Sequence, residues 1–435
     1  MEPMSTPIAG MPSAAFEATT YRKVGWRLIP FLLLCYVVAY LDRVNVGFAK
    51  LQMVGDLKFS ETIFGLGAGI FFIGYFLFEV PSNVILHRVG ARVWIARIMI
   101  SWGIISGATL FVTTPSMFYV MRFLLGVAEA GFFPGIILYL TYWYPASRRG
   151  RMTALFMTAV ALSGLIGGPI SGWILKDLSG VRGLAGWQWM FLLEAIPSVV
   201  IGIAVLLVLD DRIRDAKWLD DEEKTLLERN IASDVAHKED LPLRRVFSNG
   251  KVWVMSLIYF SFVIGLYGVG FWLPTIIKGT GVTDPLTIGL LTAIPYGFAV
   301  IAMVLVGRRS DLKGERRWHI AIPAFIGAAG LFLSTTWSHN TQLAMLALTF
   351  ATMGIMIVLP LFWSMPTAFL GGTAAAAGIA MINSLGNLAG FVGPYLIGFL
   401  KDTTQSTNSG MFLLTAFMVL GGLLTLMVPA RIVNR

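Results

Sequence analysis

Little in this chain suits water. Only 13% of its 435 residues are charged, while 56% are hydrophobic; a soluble chain carries roughly 25% charged residues. Cysteine is nearly absent, and Cys35 alone excludes an internal disulfide or a cysteine-based zinc cluster. Histidine is scarce. His87, His237, His319 and His339 all fall in loops or at the ends of apolar segments, which leaves any proton relay inside those segments to carboxylates. The short alternating segments of a β-barrel are missing. So are a nucleophile paired with a base, a phosphate-binding loop and a metal cluster. The chain therefore does not read as an enzyme, and no metal or cofactor is expected.

Long apolar segments are plentiful. Hydrocarbon about 30 Å thick needs roughly 20 apolar residues per spanning helix. Twelve spans are predicted, at 28–50, 62–86, 93–112, 116–140, 152–175, 187–209, 252–275, 286–306, 318–337, 342–364, 376–400 and 411–430. The expected fold class is an all-α membrane protein with twelve transmembrane helices. Ser60, just before Glu61, suits an N-cap for the second span. Residues 1–27 are polar and read as a cytoplasmic tail. The apolar segment after them is too long for a signal-peptide core and reads as an uncleaved span. Residues 28–209 form a first six-helix half, 210–251 a cytoplasmic linker with a surface helix around Trp218 to Leu227, 252–430 a second half, and 431–435 a short cytoplasmic tail.

The net charge of +9 reads as topology, not as affinity for nucleic acid. With the N-terminus inside, 15 Lys and Arg fall on the inner side, among them Arg88, Arg92, Arg148, Arg149, Arg308, Arg309 and Arg316. Six fall outside: Lys50, Lys58, Lys176, Arg182, Lys278 and Lys401. The linker adds nine more inside. That bias places both termini in the cytoplasm of a cell whose inner (plasma) membrane holds the chain. The lipid bilayer is its surroundings.

The chain also repeats itself. Gly90 after the second span and Gly314 after the eighth stand in similar basic loops 224 positions apart. Gly168-Pro169 in the fifth span recurs as Gly393-Pro394 in the eleventh, at an offset of 225. Two pseudo-symmetric six-span halves with a site between them near midplane are a transporter design.

Several motifs then become recognisable: Tyr40-Leu41-Asp42-Arg43-Val44-Asn45, the run from Pro81 to Arg92, Arg122 to Gly131 with Glu129, Lys217 to Lys224, and Phe271-Trp272-Leu273-Pro274. With the two halves they resemble the major facilitator superfamily, and within it the anion:cation symporter family. The resemblance covers nearly the whole chain after about Tyr21. It implies a major facilitator fold and proton-coupled import of organic anions such as sugar acids, tartrate-like hydroxy acids or aromatic acids. His87 stands where the wider superfamily has an aspartate, a departure typical of the anion family.

Charges inside the spans are few and one-sided. Asp42, Arg43, Glu79, Arg97, Arg122, Glu129 and Glu194 all lie in the first half. An ion at mid-bilayer costs a few kcal/mol or more, so each is a functional hypothesis. The repeat offset sets Leu266 and Tyr267 opposite Asp42 and Arg43. Arg122 is two turns before Glu129 on one face, at about 1.5 Å per residue. Two arginines at similar depth suit paired hydrogen bonds to carboxylates, and arginine keeps its proton. Arg43 and Arg122 are therefore read as anion holders, and Asp42 and Glu129 as proton carriers. The plainer alternative is a permanent ion pair that fixes helix packing. Asn383 and Asn387, one turn apart, could bind substrate oxygens or other helices. Tyr267 is read as a cavity residue; the resemblance implies the same for Tyr75. Trp272 and Trp363 suit either a cavity or an interface belt. Glu79 reads as a conformational latch, and the Arg88–Arg92 and Asp311–Arg316 loops as an inner gate closed by ion pairs. Glu194 carries no assigned role.

The expectation is a monomer that imports a small organic anion with protons, H+ being the coupling ion, by alternating access. An exchanger or uniporter on the same fold is the alternative. A sensor that binds an anion without moving it lacks any recognisable signalling domain.

Overall fold

A computed structural model describes residues 13–235, 249–369 and 372–434. The expected linker stretch 236–248, the first twelve residues and Arg435 lie outside the described residues. The described chain is helical throughout. The first half comprises α1 (Ala14–Val44), α2 (Val46–Asp56), α3 (Glu61–Val89), α4 (Ala91–Ala108), α5 (Pro115–Glu129), α6 (Phe132–Thr141), α7 (Ala146–Met157), α8 (Ala159–Asp177) and α9 (Gly186–Val208). The linker contributes α10 (Asp221–Val235). The second half comprises α11 (Gly250–Gly279), α12 (Pro285–Lys313), α13 (Arg317–Thr336), α14 (Thr341–Phe362), α15 (Ser364–Phe369), α16 (Gly372–Asn387), α17 (Ala389–Thr404), α18 (Asn408–Met427) and α19 (Ala430–Val433).

Eleven continuous helical stretches among the described residues are long and apolar enough to cross a membrane. The expected eleventh span, 376–400, is instead two helices, α16 and α17, that meet at Leu388. Local chemistry sets the helix starts. Ser60 accepts from Ile63 N at 3.1 Å, as its position suggested, and Asp284 accepts from Thr287 N at 3.0 Å with Pro285 in the first turn. Gly90 and Gly314 close α3 and α12 with positive φ of 101° and 60°.

The expected tail is helical from Ala14 onward. Its polar residues have partners in the linker and in α7, which ordered water would otherwise supply. Lys23 pairs with Glu223 at 2.6 Å, Arg148 with Glu17 at 3.0 Å, and Tyr21 stacks on Tyr144.

The halves meet along two pseudo-equivalent seams, α8 against α12 and α3 against α17. Glycines let the backbones approach. A Cβ on Gly172 would lie 2.6 Å from the Pro285 carbonyl, and one on Gly398 would strike that of Glu61. Glu61 and Pro285 are 224 apart, Gly172 and Gly398 226, so the repeat governs the contact itself. Each seam ends in an ion pair at the Lys50 end: Lys176–Asp284 at 3.0 Å, and Lys401–Glu61 at 2.6 Å. Lys50 also binds Glu61 at 2.6 Å and lies 3.1 Å from the Trp272 ring centroid. The molecule is therefore sealed at the Lys50 end.

Candidate functional site

Two helices break beside the buried charges. The first span turns at Asn45, which separates α1 from α2 directly after Asp42 and Arg43. The fourth span breaks at Ala130 and Gly131, directly after Glu129, with Gly131 in the left-handed region at φ 85°. A side chain at Gly131 would collide with Ser82, so backbone freedom and close approach both demand glycine there. Discontinuous helices at ion and substrate sites are a transporter device.

Arg43 is 5% exposed and Glu129 2%, and they form a close ion pair. Arg43 Nη1 also donates to the Tyr267 hydroxyl at 2.9 Å across the halves. Its guanidinium carbon is 5.3 Å from both the Tyr75 and Phe71 ring centroids. Arg122 lies over the same Phe71 ring at 5.2 Å. Unlike Arg43, it has no carboxylate within bonding distance among the described residues. Arg122 Nη2 reaches the Ala68 carbonyl at 3.4 Å, and its Nε and Nη1 have no hydrogen-bond partner. A fully buried cation with free donors attracts an anion.

Asp42 faces elsewhere. Trp102 Nε1 donates to it at 3.1 Å, Ser106 Oγ at 3.2 Å, and Ser198 through a short bond. Adjacent residues leave a helix in different directions, so the first half's interior takes Asp42 while the inter-half space takes Arg43. Of the two acids read as proton carriers, Glu129 alone pairs with an arginine. The serines and Trp102 were not singled out in the sequence. Small hydroxyl residues are common in apolar spans, and only the fold shows which face a carboxylate.

The second half reaches the site through α16. Asn383 Nδ2 donates to Glu79 Oε1 at 2.9 Å and Ser384 Oγ to Oε2 at 3.4 Å. Glu79 thus binds the opposite half, not the Arg88 loop. Asn387 follows one turn on and is half-buried. Trp272 is fully buried beneath Lys50, which excludes an interface belt for it. Trp363 packs edge-on to Tyr259 at 4.8 Å. Arg316 binds Asp311 within its own half at 2.5 Å, and the backbone N of Arg92 donates to Asp211 of the linker at 2.8 Å. Arg88 is exposed. The inner-gate pairs expected between these loops are not formed in this state, which is sealed at the other end. Lys50, Glu61 and Lys401 form a cluster that sequence reading missed, having counted the two lysines only as loop charges.

A helical carrier of two repeated halves, with buried arginines and carboxylates between them, defines a secondary transporter class. The chain belongs to the Major Facilitator Superfamily, whose family model matches residues 32–394. A Pseudomonas putida protein whose name assigns it to metabolite transport, NicT, is 50% identical over 95% of both chains. An Agrobacterium vitis protein named for tartrate transport is 50% identical over 96% of this chain and 93% of its own. The solved D-xylose-proton symporter shares the fold, with TM-score 0.74 and 16% identity over 93% of this chain and 98% of that one. The relatives' names agree with the narrower resemblance to anion:cation symporters.

Proposed function

We propose that this transporter imports an organic anion, a hydroxy or sugar acid or an aromatic carboxylate, together with protons. The observation that carries the reading is Arg122: a buried guanidinium with unused donors, sharing the Phe71 ring with Arg43. An arriving carboxylate completes its hydrogen bonding. The names of the Pseudomonas and Agrobacterium relatives support a small metabolite such as tartrate.

Glu129 occupies the second arginine when ionised. Protonation of Glu129 weakens that pair and frees Arg43 for substrate. Loss of the proton restores the pair and ejects the anion. Asp42, held by three donors inside the first half, takes a proton at a separate place. Tyr267, Asn383 and Asn387 supply neutral contacts from the second half, and Tyr75 lines the first. Glu79 couples the halves through Asn383. The basic linker end faces the cytoplasm, and the Lys50 end faces outward.

Alternating access follows if the Lys50 end opens while the Arg88 and Asp311 loops close the other. In proteoliposomes, Glu129→Gln is expected to exchange substrate across the membrane without concentrating it. Uphill accumulation by Glu129→Gln under a pH gradient would overturn the proton role.

A further inference from the structure

Within the spans, among the described residues, Glu194 is the one buried carboxyl group that the proposed cycle leaves unused. It lies on α9, 4% exposed, where Ser171 Oγ donates to its Oε1 at 2.6 Å. Its Oε2 has no hydrogen-bond partner. The Asn45 amide, 1% exposed, faces this carboxyl, and both its Oδ1 and Nδ2 are also without partners. A buried carboxyl with an open oxygen and no counterion is accommodated as the neutral acid, and a proton on Glu194 Oε2 gives that oxygen a hydrogen to donate.

The charges around it leave Glu194 without a counterion. From α1 comes Asp42, itself an acid and no counterion. Lys50 on α2 is bound to Glu61, and Lys176 on α8 to Asp284. Asp56, at the end of α2, accepts from Trp187 Nε1 at 2.9 Å. Arg97 on α4 stacks on Trp94, 3.9 Å from its ring centroid. The site also has an approach. A small cavity lined by Asn45, Ser171, Ser163, Thr292 and Tyr296 lies between the halves and has room for about one water molecule. Glu194 is one turn nearer the Lys50 end than Ser198, which donates to Asp42.

We infer that Glu194, with Asn45 and Ser171, is a further proton-binding station that loads Asp42 from the Lys50 end. The proton leaves Glu194 Oε2 for the Asp42 carboxylate, and the Glu194 carboxylate is refilled through the cavity. Two neighbouring buried carboxyls resist double ionisation, so one proton is always held between them. This inference rests on the proton-symport reading.

The test uses the full-length protein reconstituted in liposomes, with two readouts. Infrared difference spectroscopy is expected to show a protonated carboxylic-acid carbonyl band that Glu194→Gln removes and Asn45→Leu shifts. Uptake of tartrate or another accepted acid driven by an inward proton gradient is expected to fall at least about ten-fold in Glu194→Gln. A band unchanged in Glu194→Gln overturns the inference, because the proton then resides elsewhere. A lost band with full gradient-driven uptake also overturns it and leaves Glu194 a neutral packing group. Wild-type protein that shows the band but no gradient-driven uptake sinks the symport reading, and the loading role with it. If Glu194→Gln does not fold, Asn45→Leu decides: a shifted band with slowed uptake supports the station, and neither change overturns it.

Discussion

Arg43 and Tyr267 occupy equivalent positions in the two repeats, 224 residues apart, and touch: the guanidinium donates to the phenol at 2.9 Å. The charged half and the neutral half thus meet at their own symmetry-related position. Tyr267→Phe removes this bond and keeps the ring that packs on Phe72 and Phe271. A net hydrogen bond of about 1 kcal/mol predicts a substrate Kd raised about 2- to 10-fold with little change in Tm. Binding measured by calorimetry in detergent checks this, and an unchanged Kd contradicts the contact's role.

Arg122 offers a sharper separation of function from stability. It is buried, and its Nε and Nη1 have no hydrogen-bond partner. Replacing such a buried charge by an apolar side chain of similar length relieves desolvation. Arg122→Met is expected to melt at the same or higher temperature while losing anion affinity by about 100-fold, the loss of a charged hydrogen-bonded pair. Lower Tm with intact affinity would make Arg122 a packing residue.

Glu61 joins Lys50 to Lys401 at the sealed end, and Asp402 caps the same helix through Thr62 N at 2.7 Å. Lys50 is 4% exposed, so Glu61→Gln leaves it buried and unpaired, at a cost of about 3–5 kcal/mol. The halves escape that cost by parting. Spin labels on α2 and α17, in a chain whose lone Cys35 is replaced, should report a population with longer distances. An unchanged distribution would mean that the glycine seams alone hold this end.

How much of this was legible in the sequence depends on the kind of interaction. The two halves were readable because short motifs recur at a fixed offset; that the Gly-Pro segments form the seams between them is seen only in the fold. The same offset sets Tyr267 opposite Arg43 in the repeat, but that the two touch is seen only in the fold. The direction of Asp42 was not readable: its neighbour in sequence points into the space between the halves, and about 100° of helix rotation separates two environments. The Glu79–Asn383 contact spans 304 residues, and no local pattern encodes it. The Lys50 cluster escaped because a lysine at a span end is usually a solvated anchor; here a tryptophan and a glutamate from distant helices cover it.

Outside the spans, Glu315 ties the loop between α12 and α13 to the chain end. It accepts from Trp318 N at 2.8 Å and from Asn434 Nδ2 at 3.2 Å, and meets His319 Nδ1 at 2.8 Å. Partial burial pushes its carboxyl up, but the donated bonds outweigh burial and hold it below the usual range. A lowered folded value means the contribution is complete above the unfolded value of about 4.3 and is lost as pH falls through the folded one. Glu315→Ala should cost about 1 kcal/mol at neutral pH, read as a lower Tm. That difference should shrink in acid; a gap independent of pH contradicts the assignment.

The central claim is that anion and proton move together through this protein. The most direct test is acidification inside proteoliposomes that carry a pH-sensitive dye, with sugar acids, tartrates and aromatic acids added outside one at a time. The account predicts that one class of acid drives proton entry and that Asp42→Asn abolishes it. Uptake or exchange of an acid with no proton entry would contradict it, and Asp42 and Glu129 would then stand as structural partners in an anion exchanger.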